Sequence, residues 1–240
     1  WITLINGYTR SGSDFRFLAQ FLVKKGYRVL VLDNRGSGKT ISRDSFTLED
    51  CAADVKKIWA QEHIKETFLV GISMGGIISQ ILGAQESPTI KGLILVSTFS
   101  PAFQQSRKVT PWPQDIPSLE ERLSHYLYEE VTNSRKLLIK AMAKEIHKKM
   151  NDGDFLEQAK RQDYAISKTS ETSYQGHKIK VKTLILHGEN DQVIPPEQAD
   201  LLQKTIPHTE KVTFPLCGHF ILVEKIKEFK EELLRFLSKC

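Results

Sequence analysis

Phe68-Leu69-Val70-Gly71-Ile72-Ser73-Met74-Gly75-Gly76 is the stretch on which the fold turns. Its opening residues are apolar or small, as in a strand buried on both faces. From Gly75 to Ala84 the chain is apolar on most sides, as in a buried helix that follows at once. A Gly-x-Ser-x-Gly pattern occupies the junction, so Ser73 falls on a tight strand-to-helix turn. Such a turn strains the serine backbone. Gly71 and Gly75 have no side chains to obstruct it, and Ser73 Oγ then stands clear of the sheet at a helix N-terminus.

The same alternation extends to both sides. Trp1-Ile5, Arg28-Leu32, Gly92-Val96, Lys182-Leu186 and Lys211-Phe214 read as further buried strands beside Thr67-Ile72. Between them Phe15, Leu18, Ala19, Phe21 and Leu22 recur at helical spacing, as do Leu48, Ala52, Val55 and Trp59. Strands alternating with helices predict an α/β fold, a mostly parallel central sheet with helices on both faces. The alternation breaks between Ser100 and Lys180. There a proline-rich passage, Thr110-Pro111-Trp112-Pro113, leads into amphipathic patterns around Leu119-Val131, Arg135-Met150 and Asp154-Ile166. The expected organisation is a core of residues 1–99 and 180–240 carrying a helical cap, or lid, of residues 100–179.

This motif in its strand-turn-helix setting resembles the α/β-hydrolase family, and the resemblance covers the chain outside the cap. A serine hydroxyl is a poor nucleophile at neutral pH and needs a histidine base oriented by a carboxylate. By the resemblance, Asp191 takes the acid position in His187-Gly188-Glu189-Asn190-Asp191-Gln192-Val193-Ile194-Pro195, and His219 in Cys217-Gly218-His219-Phe220 takes the position of the base. The order Ser73, Asp191, His219 is that of the family. Two main-chain N–H groups are expected to hold the oxyanion: Met74, just after the nucleophile, and Tyr8, in Leu4-Ile5-Asn6-Gly7-Tyr8, which resembles the family's His-Gly-x loop with Asn6 in place of the commoner histidine. Asp33-Asn34-Arg35-Gly36-Ser37-Gly38 resembles a structural turn of the same family.

Rival candidates are weaker. No carboxylate lies between Val96 and Asp115, which removes the acid position some relatives use, and Glu189 departs from the motif. His63, His125, His147, His177 and His208 stand in helical, polar or turn contexts and read as solvated; His187 ends a strand and reads as structural. Gly36-Ser37-Gly38-Lys39-Thr40 imitates the end of a phosphate-binding loop, but position 33 is Asp where that loop requires glycine. Cys217 has no elbow around it and reads as a small buried residue.

The net charge of +5 is spread through all parts of the 240 residues, with no basic patch to neutralise phosphates, so no nucleic-acid partner is expected. The nearest basic run, Lys136 to Lys149, is only weak support for an anionic partner. Cys51, Cys217 and Cys240 lack disulfide or metal-ligand spacing, which makes a reducing, cytoplasmic setting the default. No apolar run approaches the roughly 18 residues of a membrane span. The chain begins at Trp1 inside a strand, which implies an upstream segment and leaves secretion open. Oligomeric state is not readable.

The resemblance implies a serine hydrolase that cleaves a small or medium ester, carboxylesterase-like, through an acyl-enzyme and without metal or organic cofactor. The elbow also looks like those of enol-lactonases, cofactor-free haloperoxidases and carbon-carbon bond hydrolases. Acyltransferase and peptidase chemistry stay open as alternatives, as does a receptor-like protein that binds a ligand with slow or no turnover. Phe99, Phe103, Trp112, Tyr126, Tyr128 and Tyr164 are candidate walls for the acyl substrate.

Overall fold

The structure, a computed structural model, describes residues 1–100, 103, 110–128 and 133–240. Its centre is a six-stranded sheet, parallel throughout, formed by β1 (Ile2–Ile5), β2 (Val29–Val31), β3 (Thr67–Ile72), β4 (Ile90–Val96), β5 (Thr183–Gly188) and β6 (Thr209–Phe214). Strands run in the order β2-β1-β3-β4-β5-β6. The chain moves outward from β1 to β2, then crosses back to place β3 on the other side of β1. The gap beyond the carboxyl ends of β1 and β3 is therefore a switch point, where sheets of this kind leave a crevice.

The unbroken apolar runs resolve into two faces. Leu69, Leu93, Leu95 and Ile185 point to one core, and Phe68, Val70, Ile94 and Leu184 to the other. The first core is closed by α2 (Leu48–Gln61), α3 (Met74–Ala84) and α7 (Glu197–Thr205). The second is closed by α1 (Arg16–Lys24), the short α8 (Ile221–Glu224) and α9 (Ile226–Leu237). In α9 the buried residues Phe229, Leu233, Phe236 and Leu237 follow helical spacing, and each contributes about 2 kcal/mol of gross burial. Helix α2 starts at a capping box: Asp50 N–H donates to Thr47 Oγ1 at 3.3 Å, and Thr47 N–H donates to an Asp50 carboxylate oxygen at 2.8 Å.

Between β4 and β5 lie α4 (Ile116–Ser124), α5 (Asn133–Asp152) and α6 (Phe155–Lys168). The pattern expected to run to Val131 ends as helix at Ser124, and its last residues lie outside the described ones. Helices α4 and α5 build a small core of their own around Leu119, Leu123, Ile139, Ala143 and Ile146. Helix α6 touches it only at its start, through Phe155; farther along, Ala165 and Ile166 pack into the first sheet core. Two of its side chains, Gln158 and Gln162, reach the loops after β1 and β2. Among the described residues no helix is long and apolar enough to cross a membrane.

The start of α3 lies against the end of β1. A Cβ at Gly75 would stand 2.2 Å from Ile5 O and 2.6 Å from Asn6 O, both backbone atoms that cannot yield separately from the sheet. Gly75→Ala is expected to lower unfolding stability by about 3 kcal/mol or more, read from urea midpoints. At Gly153 nothing lies within 4 Å of an added Cβ, so Gly153→Ala should stay within about 0.5 kcal/mol of the parent. Equal midpoints for the two variants would contradict the close approach.

Candidate active site

Four loops at the carboxyl ends of the strands meet here: those after β1, β3, β5 and β6. Ser73, between β3 and α3, has φ 53° and ψ −117°, outside the regions L residues ordinarily occupy. Its N–H donates to Val96 O at 2.9 Å, and its carbonyl accepts from Thr98 Oγ1 at 2.7 Å and Gly76 N–H at 2.8 Å. These bonds hold a conformation that costs on the order of 1–3 kcal/mol.

Asp191 lies in the loop after β5, 4% exposed. Its Oδ1 accepts from the N–H groups of Val193 at 2.9 Å and Ile194 at 2.8 Å. Its Oδ2 lies 2.7 Å from His219 Nδ1. Burial alone would raise the carboxyl pKa, but the adjacent His219, its hydrogen bond, His187 and the Ile194 N–H together hold it below the ordinary aspartate value. An ionised carboxylate can only accept, so Nδ1 of His219 carries the proton and Nε2 is left to take another.

His187, expected to be structural, is fully buried. Its Nε2 lies 2.9 Å from Ile194 O and 3.5 Å from Asp191 Oδ2. Burial pushes its pKa below the ordinary imidazole value, against the pull of Asp191. The neutral ring then donates from Nε2 to the Ile194 carbonyl.

The acid and histidine loops pack backbone to backbone. A Cβ at Gly188 would stand 2.2 Å from Gly218 O and 2.4 Å from Cys217 O, and Asn190 N–H donates to Cys217 O at 2.9 Å. His219 N–H donates to Tyr126 O at 2.8 Å, and Ser97 Oγ donates to His219 O at 3.1 Å. Glu224, whose side chain is fully buried, accepts from Gly218 N–H at 2.7 Å and Tyr128 N–H at 2.9 Å and pairs with Arg135 at 3.3 Å. The sequence reading singled out neither Ser97 nor Glu224. The available signal for Glu224 was one carboxylate closing the apolar run Ile221-Leu222-Val223 directly after the histidine.

The loop after β1 lies against the serine turn: a Cβ at Gly7 would be 3.2 Å from Ser73 Cβ. Asn6 is buried, with its Nδ2 donating to Ser11 O and its carbonyl accepting from Asn34 Nδ2 at 2.9 Å. The Tyr8 ring stacks on Trp112 with centroids 6.2 Å apart. Its hydroxyl donates to Asp163 Oδ2 at 2.6 Å and accepts from Trp112 Nε1 at 3.0 Å.

Ser73, Met74, Tyr8 and His219 line one cavity of about 700 Å³, with Asp191 behind His219. Phe99, Phe103, Trp112 and Tyr126 line it too, whereas Tyr128 and Tyr164 do not, and Tyr164 is 45% exposed. Cys217 is fully buried and its thiol pKa is pushed up, first by burial and then by Glu224, as suits an inert packing residue. The arrangement combines a serine at a helix N-terminus, an imidazole with a free Nε2, and an apolar chamber. It is suited to attack on an electrophilic carbon with transfer of the serine proton.

The family model for the alpha/beta hydrolase fold matches residues 1–226. The chain is 23% identical to an AB hydrolase superfamily protein of Bacillus subtilis, over 98% of this chain and 90% of that protein. It is 24% identical to an sn-1-specific diacylglycerol lipase of Danio rerio, over 99% of this chain and 78% of the lipase. Among solved structures, the enol-lactonase from Burkholderia xenovorans LB400 superposes with a TM-score of 0.82 at 23% identity, covering 99% of this chain and 91% of that one. With the all-parallel sheet and the serine turn between β3 and α3, these matches make the chain a member of the α/β-hydrolase family.

Proposed function

We propose that this protein is a serine carboxylic-ester hydrolase with Ser73 as nucleophile, His219 as base and Asp191 as the orienting acid. The observation that carries the reading is the buried His219–Asp191 pair at 2.7 Å, beside a serine held at φ 53° on the wall of the same cavity. Ser73 Oγ attacks the ester carbonyl carbon as His219 Nε2 takes its proton. The carbonyl electron pair moves to oxygen, and the main-chain N–H groups of Tyr8 and Met74 hold the oxyanion. Its collapse expels the alcohol, which leaves with the proton from His219. Water activated by His219 then releases the acid and restores Ser73.

The cavity volume of about 700 Å³ falls within the range of small-molecule sites and admits more than a short acyl group. Aromatic and aliphatic walls such as Phe99, Phe103, Val193 and Ile194 favour an apolar acyl chain of small to medium length. The names of two relatives, a lipase and an enol-lactonase, both denote cleavage of esters or lactones, which agrees with ester chemistry. No cofactor enters any of the steps.

A fluorophosphonate probe is expected to label Ser73 alone, read by peptide mapping, and Ser73→Ala is expected to reduce hydrolysis of p-nitrophenyl butyrate by roughly 10⁴-fold or more. Labelling at another residue, or wild-type turnover by Ser73→Ala, would remove the nucleophile assignment.

Activity should fall as pH drops through the range in which an imidazole gains its proton, because the protonated base cannot accept from Ser73. Asp191 stays ionised across that range, since its folded pKa lies below its unfolded one. The stability it adds is therefore fully present above the unfolded value of about 3.9 and is lost as pH falls through the lower folded value. Thermal melts of the parent and Asp191→Asn should thus converge on acidification. A gap that widens below pH 4 would contradict the sign, and a rate unchanged from pH 8 to about pH 4 would exclude His219 as base.

A further inference from the structure

Gln162 of α6 is 0% exposed, and its carboxamide is fully engaged. Its Oε1 accepts from Thr9 N–H at 2.7 Å, while Nε2 donates to Arg35 O at 2.9 Å and Ser37 Oγ at 2.7 Å. Thr9 has φ 57°, the left-handed region that a β-branched residue rarely enters. The next helix residue, Asp163, accepts from the Tyr8 hydroxyl at 2.6 Å. Two successive residues of α6 therefore grip two successive residues of the loop after β1. That loop lies between β1 and the nucleophile turn, and its Gly7 carbonyl is held by Arg10 N–H at 3.3 Å.

From this geometry we infer that Gln162 is a positioning residue for the oxyanion hole. By capturing Thr9 N–H it holds Thr9 left-handed and fixes the Tyr8–Thr9 peptide, so that Tyr8 is held from its carboxyl side with its N–H facing the oxyanion. The inference rests on the assignment of Tyr8 N–H as an oxyanion donor. A free Thr9 would relax toward negative φ, the Tyr8–Thr9 peptide would rotate, and Tyr8 would shift with it and carry its N–H out of line. Loss of an aligned donor acts on the transition state, where the negative charge has developed, and leaves ground-state binding largely untouched. A glutamine that only packed α6 onto the sheet would instead alter stability without a selective effect on the chemical step.

The test uses the full chain with p-nitrophenyl butyrate as substrate and an alkyl trifluoromethyl ketone as the transition-state probe. In the ketone adduct Ser73 Oγ bonds to the carbonyl carbon, the serine proton passes to His219, and the former carbonyl oxygen becomes the oxyanion. Gln162→Leu, which cannot accept from Thr9 N–H, is expected to lower kcat roughly 100-fold while KM stays within about threefold. The ketone should weaken by the same factor as kcat/KM. Gln162→Glu retains an acceptor for Thr9 N–H and is expected to recover kcat to within about fivefold of the parent, at a lower melting temperature because its donors to Arg35 O and Ser37 Oγ are gone. Gln162→Met serves in place of Gln162→Leu should the latter not fold.

A folded Gln162→Leu or Gln162→Met that keeps kcat and ketone affinity within threefold of the parent overturns the inference. So does a Gln162→Glu that loses as much kcat as the variant without an acceptor. The underlying ester-hydrolase reading fails by a different result, a parent protein that forms no ketone adduct together with a Ser73→Ala variant that retains turnover, and the inference falls with it.

Discussion

Ser73 keeps a backbone conformation that an L residue resists because the peptide groups on both sides of it are captured by neighbouring chain. Val96, at the end of β4, supplies the acceptor for its N–H, and Thr98, just beyond β4, supplies a donor to its carbonyl. The strain at one residue is thus carried by the adjacent strand. The same turn fixes α3 so close to β1 that Gly75 lies against the carbonyls of Ile5 and Asn6. A strand order that places β3 beside both β1 and β4 is what makes both contacts available. The loop after β1, the serine turn and the sheet are in this sense one packing problem, and the serine's exposure to the cavity follows from solving it.

Electrostatics govern the other half of the site. A buried carboxylate without partners would lose several kcal/mol of solvation and would protonate instead. Asp191 avoids that outcome because two backbone N–H groups occupy Oδ1 and His219 occupies Oδ2, with His187 at 3.5 Å. At Cys51 burial and the nearby Asp54 outweigh the opposing pull of Arg35. Its thiol is pushed up to about 12, mainly by burial, and stays neutral. The contrast lies in local donors rather than in depth, since both groups are almost fully enclosed.

The strands, their alternation with helices and the serine turn were legible because each is a local pattern. Leu69 and Phe68 point to opposite cores, so β3 could only read as an unbroken apolar run, and it did. Asp191 and His219 were reached through order and resemblance; nothing local in either loop announces that Gly188 and Gly218 bring the two backbones together. Ser97 and Gln162 were not legible at all, and Glu224 showed only as a carboxylate closing an apolar run. Each acts on a partner more than a strand away or only through a three-dimensional contact, and a lone serine, glutamate or glutamine has many solvated uses for every buried one. Tyr128 and Tyr164 illustrate the converse: an aromatic residue in the intervening segment is compatible with a cavity wall but does not imply one, and neither faces the cavity.

That intervening segment is less uniform than its sequence suggests. Its last helix, α6, sends Ala165 and Ile166 into the sheet core and Gln158 and Gln162 onto the loops after β1 and β2, so it is part of the scaffold. Helices α4 and α5 keep an apolar cluster of their own, against which Phe155 and Phe220 pack, and they also meet the scaffold through polar contacts. Several of these converge on the histidine loop: Tyr126 O receives the N–H groups of His219 and Phe220, and Glu224 joins Gly218 to Tyr128 and Arg135. Displacing α4 and α5 as a unit along with Tyr126–Tyr128 would therefore strip His219 of the partner for its own N–H and leave Glu224 buried with fewer donors.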